Sequence, residues 1–186
     1  MGLSKITRIL LWGANIWFFG EGLLGPLFAV FTEKIGGDIL DVSWAWSTFL
    51  IVTGVFYIIF GKIINRNKIN PAKMLVTGYA LNAIFTFGYL LVSSPVQLFI
   101  IQFGLGISEA IGSPLWDTMY AKSLHESHAA YAWGLAGGQS QIVTGLATLI
   151  GGFLVYYASF HVLFITMGTI QVIATIIQAR LLFVNK

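Results

Sequence analysis

Residues 129 to 179 contain no Asp, Glu, Lys or Arg, and their single ionisable side chain besides tyrosine is His161. Residues 74 to 108 carry no charge, and neither do residues 42 to 61. A helix or strand of a water-soluble domain alternates apolar and charged positions, because only one of its faces is hidden from water. Runs this long without charge are solvated by lipid, where every backbone N–H and C=O has to be satisfied inside the structure. Helices do this within one segment. The composition agrees: 57% of the 186 residues are hydrophobic and 9% are charged, where a soluble globular chain carries roughly 25% charge. Mean hydropathy is +0.84. These values exclude an ordinary cytosolic domain, a disordered tail and a nucleic-acid binder. The net charge of +3 implies no polyanionic partner, since in a membrane chain the position of each charge matters more than the sum. With no Cys, disulfides, thiolate metal sites and Cys nucleophiles are excluded.

A spanning helix takes about 20 apolar residues. The run 74–108 is too long for one span and breaks at Ser93-Ser94-Pro95. The run 129–179 breaks at the segment from Tyr156 to His161. The pattern predicts six helices at 8–31, 42–64, 73–92, 96–120, 130–157 and 160–184, forming one transmembrane domain over residues 1–186 with no linker or soluble insertion. The first span is not expected to be a cleaved signal peptide. It lacks a small-x-small cleavage site, and its apolar sequence continues past Glu21 to Phe31. Lys5, Arg8, Lys62, Arg66, Lys68, Lys73, Lys122, Arg180 and Lys186 fall on one side of the six spans, and only Lys34 falls on the other, beside Glu33, Asp38 and Asp41. The positive-inside rule then places both termini in the cytoplasm of a plasma (inner) membrane protein. Trp44, Trp46, Tyr156 and Tyr157 are expected at the outer interface, and Tyr120 and Tyr131 at the inner one.

Small residues allow close helix contact where no water drives association. Gly104, Ser108 and Gly112 form such a stripe on the fourth span. Gly134, Gly138, Gly145, Gly151 and Gly152 lie on the fifth. Either static packing or a sliding contact in a moving protein would use them.

Three acids fall inside spans: Glu21, Glu109 and Asp117. An ionisable group at that depth is costly and faces a cavity or a partner. Glu109 lies near the middle of the fourth span, with Asp117 about 12 Å further towards the cytoplasm. Gln102, Glu109, Ser113 and Trp116 recur at spacings that share one helical face, and Gln141, Thr144 and Thr148 form a second polar stripe on the fifth span. Two polar stripes in lipid point to a wet cavity. No Lys or Arg lies at the depth of Glu21 or Glu109, so each acid is suited to exchanging a proton or meeting a cationic solute. Asn15, Gln102, Gln139 and Gln141 are the candidate hydrogen-bonding groups.

The order of residues resembles one half of a major facilitator superfamily transporter over essentially the whole chain. In that family the loop after the second span reads Gly-x-x-x-Asp-Arg-x-Gly followed by basic residues. Here Gly61-Lys62-Ile63-Ile64-Asn65-Arg66-Asn67-Lys68 stands in its place, with Asn65 for the acid and Lys68 for the second Gly. The resemblance implies that Gly61, Asn65 and Arg66 belong to a cytoplasmic gate, with Asp117 at the inner end of the fourth span as the partner of Arg66. The run Gly104-Leu105-Gly106-Ile107-Ser108-Glu109-Ala110-Ile111-Gly112-Ser113-Pro114 resembles the Gly-rich fourth span of these proteins, without the Arg that precedes it in the family. Gly145 and Gly151-Gly152 are similar to the family's antiporter motif, with Ala147-Thr148 in place of its Gly-Pro. The family builds a full transporter from two six-span halves related by an axis along the membrane normal. The resemblance therefore implies an alternating-access transporter of a small molecule or ion, with no cofactor and no metal. It would work as a parallel homodimer whose spans 1, 2, 4 and 5 line the path. The same chain could pair with a different half or form part of a longer one.

Other classes fit less well. A six-span serine protease would place a Ser in the fourth span and a His in the sixth. Ser108 and His161 lie at different depths, whereas a nucleophile and its base need about 3 Å. His125-Glu126-Ser127-His128 lacks the two His four apart of a zinc protease. An accessory subunit of a membrane complex would use the same glycines but has no need of an acid on a polar stripe; a passive channel or lipid scramblase is a third possibility, and gradient-driven uptake separates a transporter from both.

Overall fold

The computed structural model describes residues 3–67, 69–124 and 128–184, with side chains at all of these except 65–67. The described residues form helices and no strands: α1 (Lys5–Gly22), α2 (Leu27–Lys34), α3 (Ile39–Asn67), α4 (Pro71–Gly88, prolonged by a 3-10 turn to Leu91), α5 (Pro95–Ser123), α6 (Ala129–Tyr157) and α7 (Phe160–Ala179, followed by a 3-10 turn, Arg180–Phe183). Five of these are long and apolar enough to cross a membrane, and α1 with α2 makes a sixth if the bent pair is one span. The chain is an all-helical, multi-pass membrane protein.

Local chemistry sets the helix starts. Ser4 Oγ accepts from Thr7 N at 3.0 Å, and Asn70 Oδ1 accepts from Ala72 N and Lys73 N ahead of Pro71 at the first helical position. Asp38 and Asp41 cap α3 reciprocally: Asp38 Oδ1 accepts from Leu40 N at 2.8 Å, and Asp41 Oδ2 accepts from Asp38 N at 3.0 Å.

One expectation is corrected here. The first span, read as one helix over 8–31, is broken between Gly22 and Leu27, and its two parts meet at 46°. Gly25 adopts a positive φ of 29°, and Pro26 brings no N–H, so the helical ladder cannot run through. The Gly22 carbonyl released by the break accepts a hydrogen bond from Thr148 Oγ1 of α6 at 3.0 Å, as an open ladder in lipid requires.

The helices pack in the order α3, α5, α4, α7, α1, α6, and the series curves until α1 and α5 also touch. The first turns of α1 and the last turns of α7 lie at one end: Thr7 Oγ1 donates to Ser123 Oγ at 3.0 Å, and Gln178 Nε2 donates to the Leu10 carbonyl at 3.3 Å. The stripe of the fourth span serves the α4–α5 contact. A Cβ on Gly78 would stand 2.9 Å from Gly112 N and 3.0 Å from the Ser108 carbonyl oxygen. By contrast Gly134, Gly138, Gly145 and Gly152 of α6 have nothing within 4 Å. The two end helices are the least covered, with 11% of the apolar window of α3 and 17% of that of α6 buried, against 56% in α5. Tyr131, Tyr156 and Tyr157 are exposed as interface rings would be. Tyr120 is not: it is fully buried, and its hydroxyl donates to the Ala132 carbonyl at 2.7 Å.

Candidate functional site

The concave side of the bundle holds a cleft of ≈ 560 Å³, open mouth included, between α1, α4 and α5. Its walls follow from helical period. On α5, Ser108, Glu109, Gly112, Ser113, Trp116 and Asp117 recur at one, four and five residues and form one face. Ala14, Trp17 and Phe18 face them from α1. Because Gly78 and Gly112 let the backbones of α4 and α5 approach, Gly78, Tyr79 and Asn82 form the floor. Within a single copy the third span (α4) supplies the floor, whereas the expected lining by spans 1, 2, 4 and 5 is that of a path between two copies.

Glu109 is half-buried at the centre of the α5 face. Its Oε1 accepts from Tyr57 OH of α3 at 3.3 Å and from Ser113 Oγ one turn along its own helix. Among the described residues no Lys, Arg or His lines the cleft. Towards the end that carries the termini, Trp116 closes the space. Its Nε1 donates to the Leu10 carbonyl at 3.0 Å and its ring stacks on Tyr120 at 4.7 Å. Asp117 lies beyond it, exposed at the margin.

Glu21 is half-buried outside the cleft lining, towards the opposite end of α1. Its Oε1 accepts from Asn82 Nδ2 at 3.2 Å and Gln171 Nε2 at 3.1 Å. Asn82 lines the cleft and bonds Glu21, so it joins the second acid to the cleft that Glu109 lines.

The other predicted groups divide. Asn15 Nδ2 donates to Gln139 Oε1 at 3.0 Å, which ties α1 to α6. Gln102 is not on the cleft, although it shares the helical face of Glu109. It is buried seven residues away and donates to Tyr89 OH at 3.2 Å. Gln141 is exposed on the uncovered side of α6, whereas the rest of its stripe meets α1: Thr148 Oγ1 donates to the Gly22 carbonyl, and a Cβ on Gly22 would stand 3.0 Å from the Thr144 backbone. Gly61 has open space beside it. The side chains of Asn65 and Arg66 lie outside the described residues, and with them the pairing of Arg66 with Asp117. Ser108 Oγ donates to the Gly104 carbonyl of its own helix at 2.8 Å, and His161 is exposed at the far end of α7, so the two form no pair. No group of three or more metal-ligating side chains occurs among the described residues.

Tyr57, Asn82, Trp17, Tyr79 and Gln171 were not singled out from the sequence. Asn82 and Gln171 carried a usable signal, as lone polar residues in apolar spans. Thr53 and Tyr57, four apart on α3, carried another. Thr53 Oγ1 donates to the Gly106 carbonyl at 3.3 Å, so this stripe marks the face of α3 that meets α5.

Residues 10–186 match the family described as Major Facilitator Superfamily. The chain is 27% identical over 163 residues to a protein of Staphylococcus haemolyticus named proton-coupled antiporter flippase LtaA, an alignment covering 84% of this chain and 39% of that protein. It is 25% identical over 100 residues to multidrug resistance protein MdtG of Yersinia enterocolitica, covering 53% of this chain and 24% of that one. The chain spans less than half the length of these relatives. The five or six apolar spans, the Gly-rich α5 packed on α4, and a match running from the first helix to the last residue lead to one assignment: the chain belongs to the Major Facilitator Superfamily.

Proposed function

We propose that the chain is a secondary transporter of a small solute that works by alternating access, with these six spans as one half of the working unit and a second copy as the other. The observation that carries the reading is Glu109: a half-buried acid held by Tyr57 and Ser113 in a cleft between α1, α4 and α5 that, among the described residues, no cation lines. A static membrane subunit has no use for that arrangement, because a charged or protonatable group at such depth is costly unless it faces water or a ligand. A single copy supplies one wall. A second copy, related by a two-fold axis along the membrane normal, closes the other side with the same orientation in the bilayer. The termini are cytoplasmic in this reading, since nine of the ten cations lie on their side, and the membrane is the plasma (inner) membrane. Glu109 is the coupling acid, with Glu21 second through Asn82. The Staphylococcus haemolyticus relative is named a proton-coupled antiporter flippase, and an acid placed as Glu109 is would permit proton coupling here.

The test is made in proteoliposomes with an imposed pH gradient, against a panel of small solutes. Wild-type protein should show gradient-driven flux for at least one solute, with two copies per particle by mass in lipid nanodiscs. Glu109→Gln keeps size and hydrogen bonding while removing titration. It should lower coupled flux at least tenfold with assembly intact. If the variant moves solute with an unchanged dependence on the gradient, Glu109 is structural. If no solute of the panel moves with the gradient through a correctly assembled particle, the transporter reading fails.

A further inference from the structure

The groups around Glu109 narrow the chemistry of what the cleft can hold. Four aromatic side chains line it: Trp17 and Phe18 from α1, Tyr79 from α4 and Trp116 from α5. The rings of Trp17 and Tyr79 have centroids 6.4 Å apart, and Trp17 and Phe18 meet edge to face at 4.9 Å. Trp116 is held in place by its bond to the Leu10 carbonyl and its stack on Tyr120. The Trp116 wall is therefore positioned without a ligand, which lowers the entropy cost of binding one. The charged side chains that line the cleft are Glu109 and Asp117.

Each solute class can be weighed against that lining. An anion finds two carboxyl groups and, among the described residues, no basic partner. A neutral apolar solute would cover the rings but strip water from Glu109 without replacing it, which is costly. A bare metal ion gains nothing from the rings and finds, among the described residues, no cluster of three ligands. An organic cation uses both features. Its charge meets the carboxylate, and its substituted or aromatic body lies against ring faces that attract cations within about 6 Å. We propose that the cleft binds an organic cation of the aryl-alkyl ammonium class, with its charge at Glu109 and its apolar body against Trp17 and Trp116. The proposal rests on the transporter reading and names the solute class of the same site.

The test uses the whole chain in lipid nanodiscs and three probes of one size: phenethyltrimethylammonium, 2-phenylethanol and 3-phenylpropionate. Isothermal titration calorimetry should find the cation bound at least tenfold more tightly than the alcohol or the carboxylate. Glu109→Gln should remove that preference and Glu109→Asp should keep it, and Trp17→Leu should weaken the cation several-fold. Particle mass and thermal unfolding confirm that each variant is assembled. Equal binding of cation and alcohol, a preference that survives Glu109→Gln, or no cation binding to assembled wild-type protein would each overturn the proposal. The two readings fail separately. Selective cation binding without gradient-driven flux defeats the transporter, whereas coupled flux of a neutral or anionic solute with no cation binding defeats only the solute class.

Discussion

Gly145 and Gly151 lie on one helix, and in the sequence they look alike. In the fold they have opposite duties. A Cβ at Gly151 would run into the Leu23 backbone carbonyl, where α6 passes the break between α1 and α2. A Cβ at Gly145 would meet nothing within 4 Å. Gly151→Ala should therefore destabilise the isolated bundle by about 1–3 kcal/mol, since a backbone neighbour cannot rotate away. Gly145→Ala should leave it within about 0.5 kcal/mol of wild type, or slightly more stable, as helix propensity allows. SDS-induced unfolding of both variants in detergent measures the difference, and equal midpoints would mean that the α6–α1 contact is looser than described. The same contrast shows what was legible residue by residue. Glu109 stood out because an intramembrane acid is rare, and the structure puts it on a cleft. Gln102, on the same helical face, was read with it and instead pairs with Tyr89, because a helical face seven residues long spans two environments. Tyr57 carried only the weak signal of its spacing from Thr53, since a tyrosine in an apolar span reads as packing until the partner helix is in place.

Helix identity follows from the hydropathy pattern, and helix pairing follows from notches that the pattern does not reveal. The clearest case joins α1 to α7. Gly13 and Gly20 are seven residues apart on α1, and Gln178 and Gln171 are seven apart on α7. A Cβ on Gly13 would lie 2.5 Å from Gln178 Cδ, and one on Gly20 would lie 2.7 Å from Gln171 Nε2. Each glutamine donates to the carbonyl three residues before its glycine, Gln178 to Leu10 and Gln171 to Trp17, and then to a second acceptor, Tyr79 OH or Glu21 Oε1. The repeat holds α1 to α7 while leaving the neighbouring face of α1, with Ala14, Trp17 and Phe18, to form the cleft. Glycine is needed here because the amide occupies the volume of a methyl group. Gly13→Ala alone should cost about 1–3 kcal/mol. Gln178→Ala should cost about 0.5–2 kcal/mol for the lost bonds and packing. The double variant should cost less than the sum, with a coupling of at least about 0.5 kcal/mol, because removing the amide makes room for the new methyl. Strict additivity in SDS unfolding would mean that the two side chains do not share that space. The break after Gly22 teaches the same lesson. Gly25-Pro26 is a turn signal, but apolar residues on both sides let it read as a continuous span, and only the Thr148 contact shows where the freed carbonyl goes.

At the scale of the molecule, the curved packing order leaves α3 and α6 as the two edges of a concave face, with the cleft between them. A two-fold axis through the cleft and along the membrane normal carries the α3 edge of one copy onto the side where the α6 edge of the other stands. The proposed dimer is thus held by two equivalent α3–α6 contacts and not by α3–α3 or α6–α6 pairs. The open glycines suit this, because Gly54 of α3 and Gly145 of α6 both face empty space in one copy and allow close helix approach. The natural absence of cysteine makes the contact testable without removing any residue. Gly54→Cys and Gly145→Cys chains, mixed and reconstituted in lipid, should form a cross-link between the two variants with a short thiol reagent. Each variant alone should cross-link far less. Ile84→Cys on α4 and Ile176→Cys on α7 mark exposed faces on the other side of the bundle and should remain monomeric with the same reagent. Links dominated by Gly145→Cys pairs alone would give an α6–α6 dimer, whose axis misses the cleft and leaves Glu109 without a second wall. Links at Ile84→Cys or Ile176→Cys would place the partner on the convex side, and either outcome would remove the two-copy cavity on which alternating access depends.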